Sequence, residues 1–167
     1  MSYFEGIGDT ALFESGVYLT SGGMYELEVQ KILVKKTRKS GLGFIVEFKV
    51  ISASGGSEVL EKHPEGSQAT WFQKMSDKDV AFPAIKEFFV GLMDINMNNE
   101  EEKEEFNNNL ETILDEATEW EPNPEDPNEQ HPLHGQMVHC ETYSKLTEKN
   151  LDFTVHKWSK SEIEDAA

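Results

Sequence analysis

Four positive charges in five residues, Lys35, Lys36, Arg38 and Lys39, interrupted only by Thr37, form the densest cationic feature of this chain. Lys49, Lys74, Lys157 and Lys160 add cations from segments of alternating, strand-like character. Three large rings, Trp71, Phe72 and Trp158, lie in the same segments. Cations that follow a phosphate backbone and rings on which bases stack are together the chemistry of single-strand binding, each stack being worth about 1–3 kcal/mol. Each feature alone has an ordinary structural explanation, a lysine cluster as a solvated hairpin tip and a large ring as core. Their conjunction carries the functional reading.

Other chemistries find less support. His131, His134, His139 and Cys140 gather three imidazoles and a thiol in ten residues. Structural zinc sites usually pair their ligands at both ends of a knuckle, whereas neighbouring His139 and Cys140 on a strand point to opposite faces. No metal or other cofactor is therefore expected. There is no Gly-x-x-x-x-Gly-Lys-Ser/Thr loop, and Gly6-Ile7-Gly8 lacks the third glycine and the strand-to-helix setting of a dinucleotide site. Without a nucleophile elbow, and with Cys140 and His139 related by adjacency alone, an enzyme is not expected.

The elements that must position these residues are legible from hydrophobic periodicity. Met24 to Val34 alternates, with Tyr25, Leu27 and Val29 on one face, and Phe44, Val46, Phe48 and Val50 form the apolar face of a second strand. The basic cluster then falls at the tip of a long hairpin. Ser52 to Ser67 reads as a Gly/Ser-rich excursion, and Gln68 to Met75 as a third strand with Trp71 and Phe72 on opposite faces. Ala81, Ile85, Phe88, Phe89 and Leu92 recur at helical spacing in a segment 79–96 that Asp77 or Asp79 can cap. A second, acidic amphipathic pattern carries Phe106, Leu110, Ile113, Leu114 and Ala117. A proline-rich loop from Trp120 follows, then strands over 135–143 and 151–160. The order β-β-β-α-β-β predicts a mainly β domain over 1–167, an oligonucleotide-binding (OB) barrel of five strands. A helix joins strands three and four, and 98–134 forms an acidic helical and loop insertion.

A net charge of −17 weighs against a polyanionic ligand until its distribution is considered. Residues 100–129 hold 13 acids and one lysine, whereas residues 1–99 hold 13 acids and 10 bases. A nearly balanced barrel can still own a basic groove. The single cysteine excludes an internal disulfide and suggests a reducing compartment. The N-terminal sequence lacks a signal-peptide pattern, and no apolar run approaches the ~20 residues that span a bilayer, so a soluble cytoplasmic protein without a membrane partner is expected.

Gly22-Gly23-Met24-Tyr25-Glu26-Leu27-Glu28-Val29, Phe44-Ile45-Val46-Glu47-Phe48-Lys49-Val50, Gly66-Ser67-x-x-x-Trp71, Cys140-Glu141-Thr142 and Phe153-Thr154-x-x-x-Trp158 resemble segments of small tailed-bacteriophage proteins of the single-stranded DNA-binding type. The resemblance covers about 16–95 and 135–158 and rests on turns and core strands. It implies an OB fold acting on single-stranded DNA in phage replication or recombination, hence in the host cytoplasm. Many phage single-strand binders end in an acidic tail that recruits partners; here the acidic block is internal, and 100–129 would have to take over contacts with replication or recombination proteins. Two rival expectations are an acidic interaction protein, such as a DNA mimic or inhibitor of a host nucleic-acid enzyme, and a virion or assembly component.

Overall fold

In a computed structural model that describes residues 17–37, 41–126, 128–146 and 152–162, the chain folds as a five-stranded antiparallel sheet with three helices. Strands β1 (Gly23–Thr37) and β2 (Gly41–Gly55) form the long hairpin. A short helix α1 (Ser57–Lys62) and strand β3 (Gln68–Lys74) follow. Helices α2 (Lys78–Met93) and α3 (Glu100–Glu119) precede strands β4 (Met137–Leu146) and β5 (Asp152–Lys160). The sheet order is β3-β2-β1-β4-β5.

Each strand of the first hairpin is too long to stay straight while burying one face, and two register shifts bend it. Ile51 and Gln30 are the extra residues, at the shifts between Glu26 and Leu27 and between Val29 and Lys31. The second bulge also changes the parity of β1. Tyr25, Leu27 and Val29 are buried before it, and Ile32 after it. Opposite them Phe44, Val46, Phe48 and Val50 are all buried, as their alternation predicts.

Helix α2 starts where Asp77 Oδ1 accepts the Asp79 amide at 3.0 Å. It ends at Asp94, a left-handed residue with φ of 53°. Its apolar stripe, Ala81, Ile85, Phe88, Phe89 and Leu92, is buried. At Gly91 the helix comes so close to β5 that a Cβ would sit 2.9 Å from the Ser159 amide nitrogen and the Trp158 carbonyl carbon. Helix α3 is capped by Asn99, whose Oδ1 accepts the Glu102 amide at 3.2 Å, and Glu102 Oε1 reaches past the cap to accept the Asn96 amide at 3.0 Å. Glu100, Glu101 and Glu102 lie in its first turn, where they complement the helix dipole. Phe106 and Ala117 are buried in the same core as the sheet, so the acidic helix is built into the hydrophobic interior along one stripe.

The expected closed barrel is met in part. Five main strands and the helical connection between the third and fourth are present, but the sheet is open, and no ladder joins β3 to β5 among the described residues. A segment of the chain occupies that seam instead. The Thr70 amide of β3 donates to the Val17 carbonyl at 2.8 Å, with Tyr18 bridged to Thr70 in parallel. On the other side, Ser21 Oγ lies 2.7 Å from Thr154 Oγ1 of β5. Between them the Thr20 carbonyl accepts from Tyr25 Oη at 2.7 Å and Thr142 Oγ1 at 2.6 Å, while its amide donates to His63 Nε2 at 3.1 Å. Side chains complete the junction: Trp71 of β3 meets Trp158 of β5 at 5.0 Å between ring centroids, and Phe88 of α2 lies 5.3 and 4.9 Å from the two.

Within the stretch expected to be a loop, β2 continues to Gly55 and α1 forms over Ser57–Lys62. Val59 pins that helix to the core. Its end places His63, which is buried edge-on to Tyr25 at 5.3 Å.

Candidate nucleic-acid interface

The pairing of β1, β2 and β3 fixes which side chains share the outer face of the hairpin sheet. Lys35, Gly43 and Lys74 form one row across the three strands, and Leu33, Ile45 and Phe72 form the next. Lys31, Glu47 and Thr70 form a third row, and Lys49 with Gln68 lies beyond the bulge. An apolar row with one aromatic ring is thus flanked by lysines on both sides. Leu33, Ile45, Phe72 and Lys35 are partly buried, and Lys74 and Lys49 are exposed. Glycine is required at 43 for this arrangement, because a Cβ there would lie 2.2 Å from Phe72 Cε2. The ring lies flat along β2 where a side chain would otherwise stand.

The residues expected to bind are only partly brought together. Lys35, Lys49, Phe72 and Lys74 share this face. Lys36 pairs with Leu42 in the register of the opposite face, at the exposed end of the hairpin. Arg38 and Lys39 lie outside the described residues. Lys157 is exposed on the outer face of β5, across from Glu141 and two strands away from β1.

Trp71 and Trp158 differ from the stacking role expected of them. They are only 3% and 7% exposed and form the centre of the ring cluster with Phe44, Phe48 and Phe88. Their burial follows from the open edges: with no ladder between β3 and β5, large rings from both strands and from α2 fill the junction. Phe72, one residue along β3, faces the other way.

The residues weighed for zinc are dispersed into separate contacts. His131 Nε2 lies 2.7 Å from the Ala117 carbonyl, and its Nδ1 accepts the Leu133 amide at 3.0 Å. His134 Nε2 is 3.1 Å from Gln30 Oε1, and His139 Nδ1 is 2.7 Å from Glu26 Oε1. The Cys140 thiol is buried, and desolvation pushes its pKa well above the ordinary thiol range. Among the described residues no three potential ligands converge on one point. No helix among them is long and apolar enough to cross a membrane.

A second feature adjoins Phe72. At the seam between β3 and β5 a cavity of about 280 Å³ is bounded by Tyr18, Leu19, Thr70, Trp71, Phe72, Thr154 and His156. His156 stacks on Trp158 with its plane only 9° off parallel at 5.8 Å. Burial lowers the imidazole pKa to about 4, so the ring is neutral at pH 7. Sequence reading missed the importance of Leu33, Ile45, Tyr18 and His156. The signal for Ile45 was an apolar residue on a strand face otherwise carrying Glu47 and Lys49, whereas Leu33 gave none, because plain alternation puts it on the face of Tyr25, Leu27 and Val29. For His156 the signal was the shared parity with Trp158.

The chain matches no protein-family model, no curated protein and no solved structure.

Proposed function

We propose that this protein binds single-stranded DNA with little sequence preference, through the outer face of β1, β2 and β3. The observation that carries this reading is the pair of neighbouring rows, Leu33–Ile45–Phe72 bordered by Lys35 and Lys74, with Lys31 and Lys49 on the far side. A strand passing over these rows would meet cations for its phosphates and a ring for its bases. Strand order supports the reading too. An OB barrel cut open between its third and fifth strands has the order β3-β2-β1-β4-β5, and its second and third strands are the usual oligonucleotide face. Likeness to phage single-strand binders extends the proposal to DNA replication or recombination in an infected cell. There the outward carboxylates of α3 would engage partner proteins.

Anisotropy of labelled single-stranded and duplex DNA across a salt series tests the binding. Single strands are expected to bind more tightly than duplex and to lose affinity with salt. The double substitution Lys35→Gln and Lys74→Gln is expected to weaken binding and to flatten the log K against log salt slope by about 0.7 for each phosphate left without its lysine. Phe72→Leu, which keeps the apolar row, is expected to cost roughly fivefold to a hundredfold in affinity through lost stacking. No single-strand binding at low salt, or unchanged affinity in the double variant, would discard this function. The exposed acids of α3 would then be the surface to probe with basic proteins.

A further inference from the structure

We infer that the seam cavity between β3 and β5 is a pocket for a single nucleobase, taken from the strand that crosses the outer face of β1, β2 and β3. This inference rests on the proposed single-strand binding and gives it a defined site for one base. Phe72 belongs to both places, standing in the apolar outer row and bounding the cavity.

Size, lining and hydrogen-bonding capacity point to the same ligand. At about 280 Å³ the space lies just below the range of pockets for drug-sized molecules, which suits one base with its sugar and excludes two stacked bases. No charged carboxylate or ammonium lines it among the described residues. An isolated phosphate would find no counter-charge there, whereas a neutral heteroaromatic ring would not need one. Three of the lining residues are aromatic: Tyr18, which is 60% exposed, Phe72 and Trp71.

His156 supplies the polar element. Its imidazole makes no hydrogen bond among the described residues and is held in place by ring packing, stacked on Trp158 and 6.2 Å from Trp71. A neutral imidazole can turn either its ring N–H or its bare ring nitrogen toward a ligand, according to tautomer, and every base edge carries a partner for one of the two. Thr154 Oγ1 is already engaged with Ser21, which fixes the side of the pocket opposite β3. A wholly apolar guest would leave His156 unpaired, so a base fits this lining better than a hydrocarbon.

The experiment is a titration of the isotopically labelled full chain with thymidine 5′-monophosphate, and in parallel with 2-deoxyribose 5-phosphate, following amide shifts by NMR. Saturable shifts at Tyr18, Thr70, Thr154 and His156 with the nucleotide, and none there with the sugar phosphate, are expected. Thr154→Phe, which fills the cavity from its β5 side, is expected to weaken the nucleotide response and the affinity for oligothymidine about tenfold. Should that variant fail to fold, His156→Leu carries the same test by removing the imidazole donor and acceptor. The inference is overturned if the nucleotide leaves these amides unmoved, if both probes shift them equally, or if Thr154→Phe folds and keeps full affinity for oligothymidine. Tight oligonucleotide binding with a silent seam would refute the pocket while leaving the outer-face function standing. Seam shifts with the mononucleotide, without any oligonucleotide binding, would support the pocket and refute that function.

Discussion

At the scale of residues, the same chemical type serves opposite ends according to which face of a strand it occupies. Trp71 and Phe72 are consecutive, yet one is locked between Phe88 and Trp158 and the other lies over Gly43 on the outside. His156 illustrates how neighbours set charge. Burial lowers its pKa to about 4, and the same cause lowers those of His63 and His131. In the unfolded chain these imidazoles take up protons near pH 6.5, so the stability they contribute is complete above that pH and is lost as pH falls through each lowered value, about 4 for His156. For His156, which is partly open to solvent, the loss is about 1–2 kcal/mol. Urea midpoints are expected to fall between pH 6.5 and 4, and less steeply in His156→Gln. Equal pH slopes in both proteins would show that this histidine is not the source.

At the scale of elements, close approaches matter more than propensities. Gly91 lets α2 touch the β5 backbone, and no flexible side chain stands in the gap to yield. Gly91→Ala is therefore expected to destabilise the fold by about 1–3 kcal/mol although alanine is the better helix former, and thermal denaturation reads the sign directly. The strands and both long helices were legible in the sequence because alternation and three-four spacing persist over enough residues to define a face. Helix α1 was not, since Ser57–Lys62 spans under two turns and Val59 is its one buried residue. The burial of Trp71 and Trp158, against the outward position of Phe72, was hidden for another reason. Period-two alternation separates Trp71 from Phe72 but does not say which face α2 covers, and the bulge at Gln30 reverses parity halfway along β1. Lys31, Leu33 and Lys35 join the outer face only because of that extra residue.

For the whole molecule, the charge of −17 and a nucleic-acid ligand are compatible through segregation. The acids of 100–129 flank a helix whose apolar stripe is buried in the core, whereas the lysines stand on the outer side of the hairpin. At 0.1 M salt the screening length is about 10 Å, so only those carboxylates of α3 that lie farther than this from the lysines would be largely screened from them. At low ionic strength their field reaches farther.

One consequence of the seam concerns time rather than shape. A barrel closed by a continuous ladder must break several hydrogen bonds at once to widen, but here β3 and β5 are joined by rings, by the Ser21–Thr154 contact and by the short segment around Thr20. Rings can slide over one another without losing a partner. The β5 amides that point away from β4 should therefore exchange with deuterium far sooner than those paired between β1 and β2, and a bound base should slow them. The sheet would then behave less like a sealed cylinder than like a cuff with a soft fastening where β3 meets β5.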